Sequence, residues 1–354
     1  MTTFTAPSRQ FVRAASALAH AGGYNDAAAA YARRWTDTPD VAAWLERATV
    51  AAMDADSSDG LVLPGTTEIL NQVRPRTLIG RIGRLRRVPF HRGAAIASGG
   101  VSFAWVGEGA PLPVGRLAWS RASLPVAKAG GIVVLTDELM KLSSPGAESV
   151  TREEIVRGLA AFLDSVFIDP DVVAVADESP GSITNGVTAI ASTGTTADAA
   201  LADLRALIQA TLDDLETLDG VVLMMSDATA FALATMTTAG GSPAFPGLGV
   251  TGGTLYGIPT LASSAVGGQI VSLHAPSMML ADDGRMAVDA SIHASIAMDD
   301  APTVDSVTPT ATNLVSLWQA NAAALRITRW INWEAARADA VHVVSGVAYG
   351  ADGS

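Results

Sequence analysis

The sequence of 354 residues predicts an α+β protein, on three observations. Thr151 to Pro170, TREEIVRGLAAFLDSVFIDP, has the apolar period of a long amphipathic helix. Residues 93–135 alternate apolar and polar positions on either side of a turn-rich tip, as the two strands of a hairpin do. Residues 196–300 interleave helical segments with short strands, as a compact α/β module does.

The helix is read from its wheel. Ile155, Val156, Leu159, Phe162, Leu163, Val166 and Phe167 share one broad face, and Glu153, Glu154, Arg157 and Asp164 take the other. Thr151 and Glu154 read as a capping box, and Pro170 as the stop. At 1.5 Å per residue such a helix is roughly 25–33 Å long, enough to brace a domain.

The hairpin is read from VSFAWVG, with Val101, Phe103 and Trp105 on one face, and from the looser return LAWSRASLPVAKAGGIVVLT. Its tip, WVGEGAPLP from Trp105 to Pro113, sets a tryptophan and a lone carboxylate among glycines and prolines. No group there is suited to chemistry. A two-stranded hairpin is marginal in water and its edges are open to other chains. The stretch therefore predicts completion by another molecule. Gly130 and Gly131 predict a bend or bulge at its base.

Within 196–300, the helix ADAALADLRALIQATLDDL precedes the strand GVVLMMS, and Ser226 is placed to cap DATAFALATM. Short strands follow through YGIPTLAS, GQIVSLH and RMAVDAS. The tail, residues 301–354, is rich in Trp and β-branched residues and reads as strands that rejoin an earlier domain, with 196–300 as an insertion. Residues 1–58 are alanine-rich and helix-prone, with Asp40 as a cap and DADSSDG as a stop, and the segment is too small to bury a core by itself. In residues 59–92, prolines 64, 75 and 89 forbid one continuous helix. Between Glu68 and Glu108 there is no acidic residue but seven arginines, 74, 76, 81, 84, 86, 87 and 92. The preferred reading is an arm that lies on acidic neighbouring subunits, ahead of DNA contact or a solvated loop with local pairs.

Composition removes several classes of function. The 35 acidic against 23 basic residues give a formal charge of −12, which excludes a protein that grips nucleic acid over its whole surface. The absence of cysteine excludes disulfides, thiol catalysis and thiolate metal sites. No stretch approaches the eighteen or so apolar residues of a membrane helix. FVRAASALAHAGG is broken by Arg13 and His20, so no signal peptide is expected, and the chain reads as soluble and made in a cytosol.

Motifs for chemistry fail on context. GLGVTG, Gly247 to Gly252, follows Pro243 and Pro246 with no helical period after it, so it reads as a flexible loop and not as a dinucleotide fingerprint. Histidines 20, 91, 274, 293 and 342 have no ligand spacing. GGSPAFPG does not keep the spacing of a nucleophile elbow. The pairs Asp213–Asp214, Asp282–Asp283 and Asp299–Asp300 read as solvated. No catalytic, cofactor-binding or metal residue is predicted, and no enzyme.

The order of these parts, over about residues 59–348, resembles the major capsid protein of tailed bacteriophages with the Hong Kong 97-type fold. LTDELMKLSSP resembles that family's lead-in to its spine helix, PGSITNGV the segment after it, LYGIPTLAS a turn and strand of its axial domain, and LVSLWQANAAALRITRWINWEAA the last strands of its peripheral domain. The resemblance implies a helical prefix or small scaffold over 1–58, an N-terminal arm over 59–92 and an extended loop over 93–135. It implies a peripheral domain over 136–195, an axial domain over 196–300 and return strands over 301–354.

It further implies hexamers and pentamers of this chain in an icosahedral shell around double-stranded DNA, bound without sequence-specific contacts. Portal and scaffold or protease proteins are the expected partners, the virion is the expected location, and assembly is expected in the host cytoplasm. Trp105, Glu108, Gly109, Pro111 and Arg116 are the implied intersubunit tip. Arg74, Arg76, Arg81, Arg84, Arg86 and Arg87 are the expected arm contacts, and Gly130, Gly131 and Pro170 the candidate hinges of shell expansion. Some members cross-link through a lysine of the extended loop. Here the only lysines, Lys128 and Lys141, lie away from the tip, so no covalent cross-link is predicted. The alternatives are an encapsulin-type compartment and, further off, a soluble α/β enzyme.

Overall fold

The computed structural model describes residues 7–21, 25–47, 66–98, 103–106, 112, 114, 118–136, 145–238, 240–298 and 314–350. The chain divides into two compact units. One comprises Met1–Arg76, Lys128–Ala160 and Gly284–Trp330; the other comprises Thr77–Ala127, Ala161–Asp283 and Ile331–Ser354.

The first unit opens with helices α1 (Pro7–His20), α2 (Asn25–Ala32), α3 (Pro39–Arg47) and α4 (Thr66–Val73). Alanine lets the first three approach closely: Ala14, Ala17, Ala28, Ala29, Ala32 and Ala42 are buried beside Val41 and Leu45. So small an apolar core is supplemented by aromatic and cationic contacts. Arg34 lies 4.1 Å from the Tyr31 ring centre and 5.0 Å from that of Trp35, and Arg13 lies 5.4 Å from Trp35. Arg13 also pairs with Asp37 and donates to Thr38 Oγ1 at 2.9 Å. Among the described residues these helices pack on one another, and α1 also packs on α4, beyond residue 58. Asp40 sits inside the first turn of α3, behind Pro39 at the first helical position, and is not the cap.

The sheet of this unit orders β11, β14 and β4. It contains β4 (Lys128–Thr136), Gly284 to Ser291 of β11 (Met278–Ser291) and Ala322 to Trp330 of β14 (Ala322–Ala335). β4 pairs antiparallel with β14 in unbroken register from Lys128↔Trp330 to Thr136↔Ala322. That corrects the bulge expected at Gly130–Gly131, because both residues are paired within the ladder. A small antiparallel pair, β12 (Ser295–Ala297) with β13 (Leu314–Ser316), packs Ile296 against Leu317, Ala322 and Ala324.

Helix α6 runs from Pro145 to Ile168, 24 residues, and contributes to both units. It starts one to two turns before Thr151, which is therefore internal and not at the cap position; a proline at the first helical position supplies the start instead. Glu154 accepts from Arg157 at 2.5 Å. After Ile168, Asp169 accepts the Asp171 N–H in a tight turn around Pro170, where the stop was predicted. Ile155, Val156, Leu163 and Phe167 are buried as the wheel requires. Two positions invert it: Phe162 is 51% exposed and Asp164 only 4% exposed.

The second unit is built on a seven-stranded mixed sheet of order β5-β15-β10-β6-β9-β8-β7. Its strands are β5 (Ile190–Ala191), β6 (Val221–Met225), β7 (Leu248–Gly249), β8 (Gly252–Leu255), β9 (Ile258–Ala262), β10 (Gln269–His274) and β15 (Val341–Ser345). Helix α7 (Ala197–Leu215) sets Leu204 and Leu207 against Leu223, Ile270 and Val344, all fully buried. Ser226 caps α8 (Asp227–Thr235) by accepting from Thr229 N–H at 3.1 Å. GLGVTG is the β7–β8 hairpin, and a Cβ on Gly252 would meet Thr260 O at 2.4 Å. The C-terminal tail divides: β14 pairs with β4, whereas β15 joins the module sheet beside β10. Also in this unit, α5 (Leu78–Arg81) precedes β1 (Arg86–Arg87), which runs parallel to the start of β11.

Candidate assembly interface

The second unit carries a finger. β2 (Ala94–Ser98) and β3 (Ala118–Ala122) pair antiparallel from Ala94↔Ala122 to Ser98↔Ala118, giving its stem. Beyond the stem, Phe103 is 91% exposed, Val114 is 95% exposed and Trp105 is fully exposed, with Leu112 also in solvent, as is Trp119 within the stem. The stem's base is apolar, with Ile96 and Ala122 packed on Leu124 and Met279. Four of the expected tip residues, Glu108, Gly109, Pro111 and Arg116, lie outside the described residues. Large apolar side chains are rarely left this exposed on a folded chain.

The arm arginines fall into two groups. Arg76 forms an ion pair with Glu153 at 2.5 Å, in the first unit. In the second, Arg84 grips Asp219 through two nitrogens at 2.5 and 2.9 Å and holds that carboxylate below its usual range. Arg81 donates to the Ala262 carbonyl at 2.7 Å. These three contacts lie within the chain. Arg86 and Arg87 are exposed on β1, and Arg74 in the first unit is half-buried. Of the hinge candidates, Gly130 and Gly131 lie inside a paired strand, while Pro170 stands in a turn held by Asn185, whose side-chain N–H donates to its carbonyl at 2.7 Å.

Two buried carboxylates were not singled out from sequence. Asp164 accepts from Leu78 N–H at 2.7 Å and from Ser263 Oγ at 2.9 Å, so it ties α5 and the end of β9 to α6. Burial raises its carboxyl above the ordinary value, against the pull of those donors and of Arg81. At Asp203, burial pushes the same way, but hydrogen bonds from Thr193, Ser192 and Tyr349 outweigh it and the carboxyl is lowered. Burial and the Asp203 charge together raise the Tyr349 phenol. Both carboxylates stand at helical positions whose sequence neighbours give no sign of the distant donors. Their burial is legible only in three dimensions.

Side chains with catalytic potential are few. His274 Nδ1 lies 2.8 Å from Ser277 Oγ, but Ser277 is itself buried, and burial lowers the histidine pKa. Among the described residues no group of three metal-ligating side chains occurs. None of the described helices is long and apolar enough to cross a membrane. What the described surface offers is a set of exposed apolar side chains beyond a paired stem.

A finger, a long helix and a sheet-centred module make up an α+β fold of the Hong Kong 97 type. The chain belongs to the phage capsid family, whose profile matches residues 63–328. A curated relative, the capsid polyprotein of Pseudomonas phage PAJU2, is 37% identical over 366 aligned positions, covering 98% of this chain and 55% of the relative. The chain thus spans about half the length of that relative. Among solved structures, a chain of Gordonia phage Cozz has a TM-score of 0.53 at 15% identity, over 84% of this chain and 96% of its own. One of Mycobacterium phage Cain has a TM-score of 0.52 at 15% identity, over 83% and 98%. At these identities the likeness shows the fold alone.

Proposed function

We propose that this chain is the major head protein of a phage or prophage, assembling through hexamers and pentamers into an icosahedral shell around double-stranded DNA. The observation that carries the proposal is the finger: Phe103, Trp105, Leu112 and Val114 stand in water on a chain of the phage capsid family. Covering one such tryptophan removes roughly 150–250 Å² from water, about 4–6 kcal/mol before the cost of ordering and association. Each copy gives a finger and receives one, so the contact is heterologous and closes only under rotation.

The other parts follow from the same reading. The formal charge of −12 keeps packaged DNA from sticking to the wall, because phosphate binding needs a cationic lining. Arg87, exposed on β1, is the arm residue positioned for an acidic neighbour, while Arg76, Arg81 and Arg84 bond within their own chain. Pro170 remains the hinge candidate for expansion, since a hinge at Gly130–Gly131 would have to break the β4–β14 ladder. Portal, scaffold or protease proteins complete the particle, which forms in the host cytoplasm. No chemical step is assigned to any residue.

The test is electron microscopy of the chain expressed alone, with and without residues 1–58. The proposal expects rings or closed particles of megadalton mass from at least one form. A soluble small oligomer from both would overturn it, and co-purification of an enclosed enzyme would point to a cargo compartment instead.

A further inference from the structure

A helix leaves its last carbonyls without partners in its own ladder. At the end of α6 and in the turn after it, one short segment of the second unit supplies them. Ser182 Oγ donates to the Phe167 carbonyl at 3.1 Å, Thr184 Oγ1 to that of Ile168 at 2.7 Å, and Asn185 Nδ2 to that of Pro170 at 2.7 Å. Ser182 and Thr184 are buried, whereas Asn185 is exposed. Of the six asparagines in the chain, Asn185 alone precedes a glycine. Thr184 to Val187 form a tight turn, closed by Val187 N–H donating to the Thr184 carbonyl at 3.2 Å. Gly186 takes the left-handed φ of +74° that the third position of such a turn requires. Its own N–H has no acceptor among the described residues, and the space beside its Cα is open.

We propose that Asn185 is a site of spontaneous deamidation, a one-way modification that loosens the turn after α6. The Gly186 backbone nitrogen gives its proton to hydroxide and attacks Asn185 Cγ. A C–N bond forms, the Cγ–Nδ2 bond breaks, and Nδ2 takes a proton from water and leaves as ammonia, which regenerates the hydroxide. Water then opens the cyclic imide at either carbonyl, to aspartate or isoaspartate. The sum is amide plus water to acid plus ammonia, with no oxidant and no enzyme. Glycine allows the close approach because no side chain shields its nitrogen. The Pro170 carbonyl holds Nδ2 more strongly as that nitrogen gains positive charge, so it steadies the leaving group.

The product reverses the contact. A carboxylate can only accept, and here it faces another acceptor at the negative end of the α6 dipole. Asp169, Asp171, Asp177 and Glu178 already make this stretch negative, and no lysine or arginine lies between Arg157 and Arg205 to offset a further charge. The outermost of the three ties is lost while Ser182 and Thr184 keep theirs. On the shell reading this is the hinge turn, but the chemistry at Asn185 does not depend on that reading.

Peptide mapping by mass spectrometry of the purified full-length chain, aged in mildly alkaline buffer, tests the site. Asn185 is expected to convert to a mixture of aspartate and isoaspartate, faster as pH rises, while Asn25, Asn71, Asn313, Asn321 and Asn332 persist over the same period. An Asn185 that survives in the folded chain but converts in the same chain unfolded in urea overturns the site, whether or not the chain assembles. The consequence is read from variants. Asn185→Asp makes one product directly and is expected to unfold about 2–4 °C below wild type, with faster amide hydrogen exchange over residues 169–187. Asn185→Ala removes the donor without adding charge and is expected to fall between the two. An Asp variant that unfolds and exchanges as wild type does overturns the loosening. If that variant does not fold, partly converted wild type gives the same comparison within one sample, and equal exchange over 169–187 in converted and unconverted chains overturns it.

Discussion

Trp105 and Asp164 show opposite ways in which one side chain departs from its usual place. A fully exposed tryptophan gains nothing in an isolated subunit, so its replacement has little effect on folding and a large one on association. Trp105→Ala should leave thermal unfolding of the subunit within about 1 °C while raising the assembly concentration at least ~10-fold, read by light scattering. Asp164 is the reverse case. Burial makes its ionised form costly, so its folded-state pKa is raised and ionisation lowers stability as pH rises through that pKa. Asp164→Asn keeps an acceptor for Leu78 N–H and should change stability by less than about 1 kcal/mol. Asp164→Ala orphans that buried donor and should cost about 1–3 kcal/mol. Denaturant melts of the three proteins between pH 4 and 8 would show it, with wild type losing ground to the Asn variant toward the alkaline end.

Asp203 titrates with the other sign. Its folded-state pKa is lowered, so its contribution is complete above the unfolded value near 3.8 and is lost as pH falls through the folded value. Tyr349→Phe should cost about 1 kcal/mol at neutral pH, and less once Asp203 is protonated. Unfolding midpoints at pH 7 and pH 3 measure both. A larger loss in acid than at neutrality would contradict the assignment.

At the scale of elements, the sequence was most legible where periodicity and local chemistry agree. Buried β6, capped α8 and the end of α6 at Pro170 all follow from a few adjacent residues. It was least legible where distant partners decide. Thr151 resembles a cap but lies inside a helix begun by Pro145, and β4 looked like the hairpin's return strand although it pairs with residues some 190–200 positions later. The alanine-rich helices α1–α3 carry too little apolar area to predict a core, because alanine buries little surface per residue. Their stability comes from Trp35, Tyr31, Arg13 and Arg34, whose stacking no linear pattern reveals. Trp35→Ala should therefore melt this helical segment selectively. Helical circular dichroism should fall while the cooperative unfolding of the β6–β10 sheet is unchanged. A single transition shifted as a whole would mean that the segment is not a separate cooperative element.

Across the whole molecule, the two units each have an interior of their own, and the finger has none. The candidate site was legible as a type, a hairpin needing a partner, from the alternation at Val101, Phe103 and Trp105. What covers it was not, because no pattern along the chain marks the surface of a partner. Sedimentation velocity of the purified chain over a hundredfold range of concentration tests the central claim most directly. Wild type should pass from slow monomer to fast rings or shells with rising concentration, and Trp105→Ala should remain slow throughout. A wild-type chain sedimenting as a single slow species at every concentration would contradict the account.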